Sequence, residues 1–299
     1  MDKWFEDKFE RERLRRYTKD RLNKNKFNFL RKLSITNWII LANTFIFILL
    51  LILIQFFNEE RMLELFALQA NSFFAGKYWT LLTSMFMHIE LWHFLANMFS
   101  LFFIGNFLEK LIGRKRIFWL YIISGIFAGF FYAIMSYIFG NTIIGARIFG
   151  SPEIFAIGAS GAIFSLLGLL AVLTPNNKVY LIAGPLIAII IQAIIESIFK
   201  DSSLLTLLNF IVYFYLLFSL FVLFSFNSRL TKLAIPIKMS FWLLPFVAIV
   251  PLVIIGLLLP LPIGNSAHFG GLLIGLIYGF YLKKKYKRKT AMISGAFGG

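Results

Sequence analysis

Between Trp38 and Phe57 the chain runs for twenty residues without a charged side chain, and from Phe241 to Leu259 it does so for nineteen more. A helix of about 20 apolar residues spans the hydrocarbon thickness of a bilayer. With 59% hydrophobic and only 15% charged residues, the chain has too little polar surface to enclose such runs in a water-soluble globule. It reads as an all-α, polytopic membrane protein, because lipid leaves no partner for backbone groups that a helix does not satisfy itself. Eight hydrophobic spans are expected at about 37–57, 87–109, 117–139, 158–174, 179–199, 204–226, 240–260 and 266–282, the fourth and eighth short.

Topology explains the net charge of +16 better than a nucleic-acid partner does. If both termini are cytoplasmic, 26 of the 30 Lys and Arg residues lie on the cytoplasmic side; only Arg61, Lys77, Arg147 and Lys200 lie opposite. The chain divides into a basic cytoplasmic segment 1–36, a transmembrane domain 37–282 and a basic cytoplasmic tail 283–299. Segment 1–36 has no apolar stretch of signal-peptide type and reads as a cytoplasmic basic helix, more readily a solvated positive-inside anchor than a helix that binds lipid or a partner. With no cysteine in the chain, any nucleophile must be a serine, a threonine or a carboxylate.

Ionisable side chains at membrane depth are candidates for function. His88 and His93 stand at the start of the second span with Asn97 one turn on; Gly158-Ala159-Ser160-Gly161 opens the fourth; His268 opens the eighth. Counting back from Lys110, Pro175 and Lys283 at 1.5 Å per residue puts Ser160 and His268 about 22 Å above the inner edge, and His93 and Asn97 at about 25 and 20 Å. One polar layer several ångströms below the outer surface must face inward or line a wet cavity. Each feature alone has a plainer account. Gly161, Ser165 and Gly168, like His268, Gly271 and Gly275, fall at helical spacing and could simply let two helices approach closely.

The coincidence of a serine, a histidine and a His/Asn pair at one depth suits acyl transfer. A serine hydroxyl needs a base, here His268, and the oxyanion needs donors, here His93, Asn97 and the Ser160 backbone N–H. No acidic residue follows Asp201, so the set reads as a Ser-His dyad, with Phe164, one turn after Ser160, packing against the imidazole.

From about Trp79 to Phe280 the sequence resembles the rhomboid family of intramembrane serine proteases. The resemblance is carried by His88, His93 and Asn97; by Gly158-Ala159-Ser160-Gly161; by Ala267, His268, Gly271 and Gly275; and by Gly105, Glu109 and Gly113 at four-residue spacing. It implies Ser160 as nucleophile, His268 as base, His93 and Asn97 as oxyanion donors and His88 as a structural neighbour, with no metal or cofactor. Two departures stand out. Trp79 is followed by Thr80 where the family commonly has arginine, and 108 residues separate Ser160 from His268, with three spans where a six-helix core has one. Two extra helices, assigned to an inserted hairpin at 179–226, keep Ser160 and His268 on the same side.

The expected function is an endopeptidase in the cell membrane that cleaves transmembrane-segment substrates near the outer leaflet, its site opening to the non-cytoplasmic side. The alternative is a proteolytically inactive rhomboid-like protein that binds membrane clients, although a pure binder needs neither Ser160 nor His268. A transporter would show paired charges along a pathway, which this sequence lacks. Pro245 and Pro251 make span 240–260 the candidate gate for substrate access.

Overall fold

The computed structural model describes residues 33–182, 187, 188, 191, 203–225, 235–258, 264–288 and 290. Residues 1–32 of the basic segment, most of the expected span 179–199, the linker Leu261 to Ile263 and the end of the tail lie outside them. The described chain is largely helical: α1 (Ile35–Phe57), α2 (Glu59–Phe66), α3 (Ala70–Phe74), α4 (Leu91–Ile112), α5 (Arg114–Phe139), α6 (Ile143–Phe149), α7 (Ser160–Leu173), α8 (Ser203–Ser225), α9 (Leu244–Leu258) and α10 (Asn265–Lys285). Among the described residues α1, α4 and α5 are long and apolar enough to cross a membrane, and α7 is a shorter apolar helix.

α7 is the central helix. From Gly161 to Leu173 all but Phe164 are buried, as expected of a helix apolar on every side. It packs most closely against α10, with α5 beside both. Glycines make this approach possible. A Cβ on Gly271 would collide with the Gly161 carbonyl and one on Gly275 with that of Ser165, while one on Gly279 would lie 2.8 Å from Val172 Cβ. The stripe Gly271, Gly275, Gly279 therefore lets α10 lie against the α7 backbone and fixes the helices in register.

A buried carboxylate ties α1 to α4. Glu109 accepts from the backbone N–H groups of Ile35 and Thr36, each at 2.9 Å, and from the Thr36 hydroxyl at 2.8 Å. It thus satisfies N–H groups that the first turn of α1 leaves unpaired, where negative charge also suits the helix dipole. Ser34 caps the same helix by accepting from the Asn37 N–H, and its hydroxyl donates to Asn106 on α4. Within α4, Leu101–Gly105 is a π turn, and a Cβ on Gly105 would meet Thr36 Cγ2 at 2.6 Å.

Several expected boundaries are corrected. Helix α4 begins at Leu91, not 87, so His88 lies in the extended segment before it. Helix α7 begins at Ser160, with Gly158 and Ala159 preceding it. The expected fifth span opens instead as strand β1 (Lys178–Ile182), paired antiparallel with β2 (Pro236–Ser240), Val179 opposite Met239 and Leu181 opposite Ile237. A short apolar run with valine, isoleucine and tyrosine fits a strand as well as a helix, and the partner needed to form the ladder lies nearly 60 residues away. Pro245 falls in the first turn of α9, where a missing N–H costs nothing; only Pro251 is interior.

The long connection from α1 to α4 is anchored by its own side chains. The Trp79 indole donates to the Leu65 carbonyl at 2.9 Å and the Thr83 hydroxyl to that of Phe66 at 2.7 Å. Leu68 and Ala156 pair through both backbone bonds, fastening this connection to the segment leading into Ser160.

Candidate active site

Ser160 is the first residue of α7 and His268 lies in the first turn of α10. The glycine-mediated contact between these helices brings His268 Nε2 to 2.8 Å from Ser160 Oγ. Phe164, one turn along α7, stacks on the imidazole with ring centroids 4.3 Å apart and planes 11° from parallel. Among the described residues the other ring nitrogen, Nδ1, is buried without a hydrogen-bond partner. The ring's orientation is therefore set by stacking and by its contact with Ser160, not by a carboxylate.

The chain enters α7 through Gly158, whose φ of +110° only glycine adopts without strain. Its N–H donates to the Ser84 carbonyl at 2.8 Å. A side chain there would also have no room: its Cβ would fall 2.6 Å from His93 Nε2 and 3.7 Å from Asn97 Nδ2. The polar tips of both α4 residues thus face the backbone two residues before Ser160. Buried His88 lies behind them, its ring 5.1 Å from that of His93, and its Nε2 accepts a long 3.4 Å bond from the Ala159 N–H. Because Ser160 starts the helix, its N–H has no intrahelical acceptor and can join the same donor group.

Ser160, His268, His93, Gly158 and Gly161 line a cavity of about 500 Å³ whose rim carries Glu59 and Glu90. Asn97 lies just behind this lining, and one of its amide N–H groups donates to the His93 carbonyl at 2.9 Å. The structure therefore brings all ten candidate residues to one region, with Phe164, His88 and Asn97 supporting the wall and Gly271 and Gly275 acting from the helix contact. Sequence reading missed Ser84, which holds Gly158, and Glu90, whose carboxylate is 3.8 Å from His93 Nδ1. Nothing in the sequence marks Ser84. Glu90 does stand one helical turn before His93, a spacing that could have drawn notice.

The chain is 29% identical over 220 residues to RHOMBOID-like protein 5 of Arabidopsis thaliana, a stretch covering 73% of this chain and 48% of that protein. It is 35% identical over 147 residues to rhomboid protease GluP of Bacillus subtilis, covering 46% and 26% respectively. It is also 28% identical over 146 residues to the mitochondrial RHOMBOID-like protein 12 of Arabidopsis thaliana, covering 48% and 42%. The matched stretch spans less than half of each relative. The Rhomboid domain itself matches residues 75–206 and 211–285, well over half of the chain, and this membrane protein accordingly belongs to the rhomboid family.

Proposed function

We propose that the protein is an intramembrane serine endopeptidase that cleaves transmembrane segments of other proteins. The observation that carries this reading is the 2.8 Å contact between Ser160 Oγ and His268 Nε2 inside a cavity also lined by His93. Ser160 Oγ attacks the scissile carbonyl carbon as its proton passes to His268 Nε2. The carbonyl oxygen becomes an oxyanion, held by the Ser160 N–H, by His93 and by the Asn97 amide N–H that the His93 carbonyl leaves free. Collapse expels the amine, which takes the proton from His268 and leaves an acyl-serine. Water, deprotonated by the same imidazole, then releases the carboxylate product and restores the serine. Phe164 supports this cycle by keeping the imidazole plane in line with Ser160 in the absence of a carboxylate partner.

The site would open on the non-cytoplasmic side of the cell membrane, since the basic residues gather at the opposite ends of the helices. No metal or cofactor enters the cycle. Family resemblance suggests small residues at the scissile bond, with glycine or proline deeper in the substrate segment to let it unwind. The test is labelling of the purified protein with a serine-reactive fluorophosphonate. Ser160 is expected as the modified residue, with labelling lost in His268→Ala. Capture of membrane clients without labelling or cleavage would favour the inactive, client-binding alternative.

A further inference from the structure

Away from the Ser160 cavity, a second cavity of about 360 Å³ opens on the face between α5 and α10, near the start of α5. Its lining is graded. Lys115 and Arg116 stand at one end, Trp119 and Tyr278 come next, and Leu120, Ile123 and Ile274 form the apolar remainder. From Lys115 to Ile123 the helix rises about 12 Å, so the charged end and the apolar end are separated along the axis that would cross the bilayer.

The charged end is organised. Arg116 donates to the Ile112 carbonyl and to the Tyr286 hydroxyl, both at 3.1 Å, and its guanidinium lies 5.1 Å from the Tyr286 ring centroid. That holds the group in place while leaving further N–H donors, since a guanidinium has five. Among the described residues neither Lys115 nor Arg116 forms an ion pair with a carboxylate, and none lines the cavity. Trp119 is half exposed on the same face, and tryptophan is one of the amphipathic rings that settle at membrane interfaces.

We propose that this groove is a binding site for an anionic phospholipid. The phosphate sits on Lys115 and Arg116 within reach of the Tyr278 hydroxyl, and an acyl chain lies along Leu120, Ile123 and Ile274. Charge complementarity selects the occupant: a bare apolar helix would leave the cations unpaired, whereas a phospholipid has its charge at one end and its hydrocarbon along the rest. A bound lipid also bridges α5 to α10, the helix that carries His268, so it adds to the packing on which the candidate active site rests. The site nevertheless stands on its own observations and does not depend on protease activity.

The experiment uses the full chain, purified in mild detergent and weighed intact by native mass spectrometry after exposure to equal amounts of phosphatidylglycerol and phosphatidylcholine. One phosphatidylglycerol is expected to be retained in strong preference, and millimolar inorganic phosphate should not displace it. Lys115→Gln with Arg116→Gln should weaken retention roughly 30-fold, the factor expected for two interfacial cations. Ile123→Trp, which fills the apolar trench and keeps both cations, should also expel the lipid. Lys283→Gln with Lys284→Gln, which removes two charges outside the groove, should leave retention unchanged. Equal retention of the two lipids, displacement by phosphate, an unaltered Ile123→Trp, an equal loss with the Lys283 and Lys284 pair, or a lipid-free dimer of the chain would each overturn the site.

Discussion

The Ser160 hydroxyl and the His268 imidazole are 108 positions apart in sequence and 2.8 Å apart in space. What joins them is a helix contact in which glycines let the α10 and α7 backbones approach closely. If the pair is a catalytic dyad, Ser160→Ala and His268→Ala should each abolish cleavage of a model single-pass substrate in proteoliposomes while the protein remains folded. The double variant should be little worse than either single one, because the two groups act as a unit. Substantial turnover by Ser160→Ala would remove the serine from the mechanism.

Asn97→Ala should lower kcat by roughly 10- to 1000-fold with little change in KM, the upper part of that span being the loss of about 100- to 1000-fold seen when one oxyanion donor is removed. The structure sharpens the expectation, because one amide N–H already serves the His93 carbonyl. Part of the loss should come from a loosened His93. An unchanged kcat would assign Asn97 to packing alone.

Glycine positions separate fold from chemistry. Gly275→Ala, whose new methyl would meet the Ser165 carbonyl, should destabilise the protein by about 1–3 kcal/mol or more through overpacking between α7 and α10. Gly158→Ala should act differently. It strains a residue at φ +110° and displaces His93, so activity should fall further than thermal stability does. Parallel melting curves and initial rates in detergent would distinguish the two effects, and equal losses of stability and rate in both variants would not fit.

Glu109 offers a purely structural test. Replacing it with glutamine retains the shape but loses the charge that serves two backbone N–H groups and a hydroxyl at the start of α1. Thermal stability should drop by roughly 2–3 kcal/mol, the worth of charge-assisted bonds in a buried site, while kcat well below the melting temperature stays near its original value. A large kcat loss in a protein of unchanged stability would contradict the capping role.

These residues also show what could be read from the sequence. Apolar run length located α1, α4, α5, α7 and α10 to within a few residues, although their lengths differ, because an uncharged apolar run that enters a bilayer must satisfy its backbone within the helix. Phe164 was legible as the ring beside His268 because four residues along a helix return to the same face. β1 was not legible, since a five-residue strand that opens with Lys178 and continues with four apolar residues does not declare its partner, and the partner begins at Pro236. The π turn at Leu101–Gly105 left no trace, because it arises from packing around a sequence that also suits an α-helix. Glu109 was visible as part of a spaced motif, but its job depends on where α1 starts, which only the fold decides.

The last prediction concerns substrate access, and it rests on the proposed protease function. A substrate helix must pass between elements of the bundle to reach Ser160, and α9 borders the cavity through Leu252. Pro251, inside α9, removes one backbone donor and weakens the helix at its middle. Its far end is held from outside: Arg147 on α6 donates to the Leu257 carbonyl at 2.8 Å. At Gly256, a Cβ would lie 3.0 Å from Asn265 Nδ2 and 3.1 Å from the Arg147 carbonyl, so α9 there meets the α6 backbone and the Asn265 side chain of α10. A cation on the last carbonyls of a helix is a favourable but modest restraint. Arg147→Ala should therefore release that end and raise cleavage of membrane-embedded substrates by roughly two- to tenfold, while leaving cleavage of a short soluble peptide, which needs no opening between helices, nearly unchanged. Leu257→Ala, which trims the same end without touching the hydrogen bond, should act in the same direction. If either variant changed both substrate classes equally, α9 would be a packing element and substrates would reach Ser160 by another side of the bundle.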